Sequence, residues 1–133
     1  MKKSICSFLL VAPVLLTNGS ALADPVMECS GQSSSQVETG QCLQKTSEGA
    51  EQALKSSLGF AMAAAGELDK VTGRPEATPA LEAAQAAWSD YRQKHCDFVG
   101  TTFGGGSGTG IAILGCRIEL ARARTSVLMK YTR

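Results

Sequence analysis

The chain has 133 residues, of which 44% are hydrophobic but only 5% aromatic, and 13 basic against 12 acidic side chains leave a formal charge of +1. That length supports one small domain, and so even a charge balance gives no electrostatic reason to expect nucleic acid as a partner. Alanine supplies much of the available apolar surface, so the core is modest and covalent cross-links become an expected source of stability.

Lys2 and Lys3 open the chain, an apolar stretch runs from Ile5 to Leu16, and polar Thr17 to Ser20 precede Ala21-Leu22-Ala23. This is the layout of a signal peptide over residues 1–23, cleaved near Ala23. The apolar stretch is shorter than the ~20 residues a membrane-spanning helix needs, and no second one follows. The mature chain is therefore expected to be residues 24–133, periplasmic or secreted and without a membrane span. Cys6 is expected to leave with the signal.

Four cysteines then remain: Cys29, Cys42, Cys96 and Cys116. An even number in a short exported chain points to disulfides, since the oxidising compartment lets them form. Three pairings are open in principle, and closeness in sequence favours Cys29–Cys42 and Cys96–Cys116. Metal ligation is the rival, but no pair of cysteines has zinc-knuckle spacing and His95 is the only histidine, so no metal is expected.

Residues 24–36 are rich in Ser and Gly and lack a period, which reads as an irregular lead-in pinned by Cys29. A first helix starts near Val37, with Cys42, Thr46, Ala50, Leu54, Leu58 and Met62 every four positions and Leu43, Ala53, Ala61 and Ala65 beside them. Gly49 and Gly59 weaken it by about 1 kcal/mol each, Gly66 and Gly73 read as stop signals, and residues 72–75 as a turn.

The second helix opens with Thr78 as cap and Pro79 in its first turn. It carries Leu81, Ala84, Gln85, Trp88, Tyr91, Arg92 and His95 on one side and ends at Cys96. Residues 97–110 are too glycine-rich for a stable helix and are expected to form a loop. A third helix runs from about Ile111 to Lys130, with Leu114, Ile118, Ala121, Thr125 and Leu128 inward. The expected fold is all-α, a three-helix domain with two disulfides and a Gly-rich loop between helices 2 and 3.

Charge is distributed unevenly along this scaffold. Residues 24–69 hold two lysines and seven carboxylates, whereas residues 111–133 hold five basic groups and only Glu119. Two oppositely charged helices that pack together account for the pattern, and an acidic face that meets a basic partner is the alternative.

Leu81, Gln85, Trp88, Arg92 and Cys96, then Gly105-Gly106-Ser107, then Cys116, Arg124 and Leu128, with Cys29, Glu38 and Cys42-Leu43 upstream, form a constellation over most of the mature chain. It resembles the LprI-type lysozyme-inhibitor family of exported bacterial proteins. The resemblance implies a helical, disulfide-bonded fold and, for at least one member, inhibition of lysozyme.

Catalytic chemistry finds little foothold. His95 has no credible nucleophile, because Cys96 is adjacent in sequence and expected to be oxidised. No lysine follows the glycines as a phosphate-binding loop requires, and Glu48 and Glu51 fit a solvated helix face better than a glycosidase pair. Neither a catalytic residue nor a cofactor is expected.

The expected activity is therefore binding to a protein partner. A lysozyme-like muramidase would be occluded through the 97–110 loop, with Phe103, Gly105, Gly106, Ser107 and Thr109 as contact residues. An adaptor, chaperone or immunity protein for a secreted toxin or enzyme is the alternative. Gln85, Trp88, Arg92 and Arg124 are read as a structural cluster, the indole covering the guanidinium stem one turn away; a binding hot spot of the same residues is the other reading.

Overall fold

A computed structural model describes residues 23–132, and the expected signal peptide lies outside the described residues apart from Ala23. The fold is all-α: α1 spans Pro25–Ser30, α2 Gln36–Thr72, α3 Ala77–Thr101 and α4 Gly108–Leu128, followed by a 3-10 turn at Met129–Tyr131. No described helix is long and apolar enough to cross a membrane.

The three long helices match the expected architecture, but the irregular lead-in does not: part of it forms α1. Asp24 accepts the amides of Val26 and Met27 at 2.8 and 3.4 Å through Oδ1, and Pro25 occupies the first turn, where its missing amide hydrogen costs nothing. Cys29 is buried and bonded to Cys42 of α2. Arg122 of α4 grips Glu28 with both terminal nitrogens, at 3.1 and 2.9 Å, and the Arg122 hydrogen bond holds the Glu28 carboxyl below its ordinary pKa. The acidic beginning of the chain is thus joined to its basic final helix.

α2 begins one residue before the expected start, behind a reciprocal cap: Ser35 Oγ accepts the Glu38 amide, and Glu38 Oε2 accepts the Ser34 amide at 2.7 Å. Its 37 residues extend roughly 55 Å. Gly66 does not stop it. Packing against α3 outweighs the ~1 kcal/mol helical cost of a glycine, and the stop comes at Gly73, whose φ of 67° is a left-handed conformation that suits glycine.

The buried line on α2 is Thr39, Leu43, Leu54, Ser57 and Ala61, while Ala53 from the expected stripe is exposed. The six residues spaced every four positions from Cys42 to Met62 are all buried or half-buried, so the expected stripe follows the core face and the exposed Ala53 lies beside it.

α3 starts at Ala77, and Thr78 is not its cap. The N-cap position is Glu76, whose side chain makes no capping bond. Asp69 of α2 serves instead: Oδ1 accepts the Glu76 and Ala77 amides at 3.1 and 2.8 Å, and Oδ2 accepts the Thr78 amide at 3.0 Å.

α3 also continues five residues past Cys96 to Thr101, and α4 begins at Gly108, so the expected 97–110 loop shrinks to residues 102–107. Gly100 explains the extension. It is buried, and a Cβ on it would lie 2.7 Å from Ile113 Cδ1, so the glycine serves close helix packing here rather than a loop.

α4 lies chiefly against α2 and secondarily against α3. Leu54, Ala61, Ala121 and Leu128 form one apolar cluster, with Leu81 and Trp88 packed on it. Cys29, Leu43 and Ile118 form the other, flanked by Val26 and Leu114. Of the residues expected inward on α4, Ile118, Ala121 and Leu128 are buried and Leu114 and Thr125 half-buried.

Candidate functional site

The connection between α3 and α4 is short and held at both ends. Cys96 and Cys116 are joined, with 5.6 Å between their Cα atoms, and each is buried in its helix. The loop then folds on its own backbone: the Phe103 amide donates to Gly100 O at 3.2 Å, Gly104 to Thr101 O at 3.1 Å, and Gly106 to Phe103 O at 3.1 Å. Gly104 and Gly105, at φ 60° and 77°, adopt consecutive left-handed conformations that make this tight reversal accessible. Six residues so constrained lose little entropy on binding.

Of the expected contact residues, Phe103, Gly105, Gly106 and Ser107 lie in this loop and are exposed. Thr109 sits in the first turn of α4, half-buried, with its methyl toward Gly100. The Phe103 ring folds back over Gly108 yet keeps 51% of its surface open to solvent. It borders a cavity of about 290 Å³ shared with Asp24, Val26, His95, Val99 and Glu119.

A feature the sequence reading missed extends this surface. The helix period groups Tyr91 and His95 with Trp88 on one side of the second helix, but α3 divides that row. Gln85, Trp88 and Arg92 turn inward and are half-buried, whereas Tyr91 is exposed and stacks on His95 with 5.3 Å between ring centroids. Phe98 follows at 6.5 Å from His95, also exposed. The spacing of Tyr91, His95 and Phe98 at steps of four and three was the available signal for one helix face. Exposed aromatics grouped in this way are the residue types that anchor protein interfaces.

The structure brings Gln85, Trp88, Arg92 and Arg124 into one cluster. Arg124 Nε donates to Gln85 Oε1 at 3.0 Å, and the guanidinium carbons of Arg92 and Arg124 lie 5.4 and 5.8 Å from the Trp88 ring centroid. Arg92 pairs with Glu51 of α2 and donates to the Arg117 carbonyl at 3.0 Å. These side chains cross-link α2, α3 and α4 around a single indole, with cation–π attraction adding to the packing.

Exposed apolar side chains also occur at the opposite end of α3, where Phe60, Leu68 and Val71 of α2 line a shallow depression. Among the described residues, neither disulfide lies in that region.

The family model described as Lysozyme inhibitor LprI matches residues 27–128. An uncharacterized protein of Rhizobium meliloti (strain 1021) is 32% identical over 99 residues, covering 71% of each chain. No solved structure matches.

Proposed function

The chain belongs to the LprI lysozyme-inhibitor family, and on that premise we propose that it is an exported protein that binds a lysozyme-like muramidase and occludes the cleft in which that enzyme holds its glycan. The family implies a protein partner, and the activity is binding rather than catalysis. The contact is made by the loop at residues 102–107 with Phe103 at its edge, supported by Tyr91 and Phe98 along α3. One observation carries this choice of surface: the loop is the segment where exposed aromatic area and covalent restraint coincide. A pre-ordered convex element enters a cleft with less entropic cost than a free chain.

Purified oxidised protein is expected to slow peptidoglycan lysis by at least one member of a panel of muramidases, with a matching dissociation constant by calorimetry. Absence of both inhibition and binding at micromolar concentration rules the proposal out. A Val71→Ser variant, altered at the far apolar region, is expected to inhibit like the unaltered protein.

A further inference from the structure

Away from the loop, a polar recess of about 170 Å³ opens between α2, α3 and α4, lined by Glu51, Ser89, Arg92, Gln93 and Arg117. We propose that it is a binding site for a single carboxylate group held between the Arg92 and Arg117 side chains.

Both arginines are positioned before any ligand arrives. Only 14% of the Arg92 side chain is exposed, and its Nε is buried without a hydrogen-bond partner. Trp88 supports its guanidinium, and the Arg117 carbonyl fixes one nitrogen. Arg117 is oriented through a relay: Gln93 Nε2 donates to both Asp97 oxygens at 2.9 and 2.8 Å, which turns Gln93 Oε1 to accept from Arg117 Nη2 at 3.2 Å. Such preset planar donors suit a planar carboxylate.

The charge count within the recess is unequal. Two guanidiniums face one lining carboxylate, Glu51, which reaches in from α2, remains 48% exposed, and meets only Nη2 of the five-donor Arg92 group. The residual unit of positive charge matches a monocarboxylate, and the volume admits only a few heavy atoms. The Ser89 hydroxyl on the wall can donate to the same ligand. Two sources share this chemistry: a free small carboxylate, or an acidic side chain of a docked protein. The second source alone rests on the muramidase reading.

Acetate titrated into isotope-labelled oxidised protein, at constant ionic strength set with sodium chloride, tests the site through the arginine Nε–Hε resonances. Saturable shifts of Arg92 and Arg117 with a millimolar midpoint are expected. Arg117→Gln, verified as folded by circular dichroism, is expected to abolish saturation, and Glu51→Gln to tighten acetate about tenfold by removing the competing carboxylate. Linear shifts without saturation, or an unaltered curve in Arg117→Gln, overturn the proposal. For a muramidase that the protein binds, saturating acetate weakens the complex if the partner's side chain occupies the recess and leaves it unchanged if a free carboxylate does. Either result upholds a carboxylate site. Failure of the inhibition assay leaves the titration with labelled protein intact as a separate test.

Discussion

The Asp69 carboxylate of α2 caps a helix to which it does not belong, accepting the Ala77 amide of α3 at 2.8 Å. The Thr78 and Ala77 amides, joined by the Thr78 hydroxyl and the Glu76 amide, lower its pKa from 3.8 to about 2. One ionised side chain therefore fixes the turn between the two helices.

Because the folded carboxyl titrates below the unfolded one, its stabilisation is complete above about pH 4, declines as pH falls below that, and is gone near the folded pKa of about 2. Asp69→Ala is expected to lower Tm by a few degrees at pH 6, with the gap to the unaltered protein narrowing as pH approaches 2. Asp69→Asn keeps an acceptor but cannot ionise, so it should flatten the acid limb of the Tm profile. Thermal melts between these two pH values check both expectations. A gap that widens in acid contradicts the assignment.

Helix period, cysteine number and cysteine spacing made much of this fold legible, because the long helices each bury one face and the bridges join neighbours in sequence. What escaped were effects of short range or of tertiary origin. α1 is too short for a period to show, although Asp24-Pro25 is itself a helix-start signal. Gly66 and Gly100 read as breakers, yet packing carries the helices through them. The cap of α3 comes from Asp69, seven residues before Glu76 and on another helix, which no local motif reveals. Of the candidate contact surface, the loop glycines and Phe103 were visible in sequence. The Tyr91, His95 and Phe98 row showed only as a helix-face spacing and not as a surface, because Tyr91 and Arg92 are adjacent and only the fold decides which turns inward.

The disulfides should weigh heavily in so small a core. Closing a loop of this length contributes about 3 kcal/mol in the chain-entropy account, and Cys96–Cys116 spans 20 residues. A Cys96→Ser, Cys116→Ser double variant is expected to lose about that much in urea denaturation. It should also bind the partner more weakly than its folded fraction explains, since the loop loses its anchorage. Retention of full stability in the double variant would show that the helices alone hold this end together.

At Gly115, α4 passes close to α1. A Cβ there would fall 2.5 Å from Val26 Cγ2, and Val26 is β-branched and stiff about χ1. Overpacking costs about 1–3 kcal/mol, offset by ~1 kcal/mol of improved helix propensity. Gly115→Ala is thus expected to lower stability by roughly 1 kcal/mol in an otherwise unaltered chain. In a Val26→Ala background the clash is gone, and the same substitution should stabilise. A double-mutant cycle measured by chemical denaturation reads the coupling directly, and a coupling energy near zero would mean that α1 shifts freely.

Trp88 and Phe103 should separate scaffold from contact surface. Trp88 is half-buried between helices, so Trp88→Ala is expected to cost about 2–3 kcal/mol, less than the ~3–5 kcal/mol of a fully buried aromatic. Its effect on binding should follow the folded fraction alone. Phe103 is half-exposed in the loop, and Phe103→Ser should stay within about 0.5 kcal/mol of the parent, as surface substitutions do. Binding to the muramidase should nevertheless fall by at least tenfold, in the range of an interface anchor. Replacing residues 103–107 with a Gly/Ser segment of equal length should deepen that loss while melting changes little, because both cysteines and the first turn of α4 are kept. Calorimetry beside thermal melts decides between the two surfaces. Should the loop variant bind at full affinity while a stably folded Trp88→Ala protein does not, the interface is the indole face with its two arginines, and the loop is only a connection between helices.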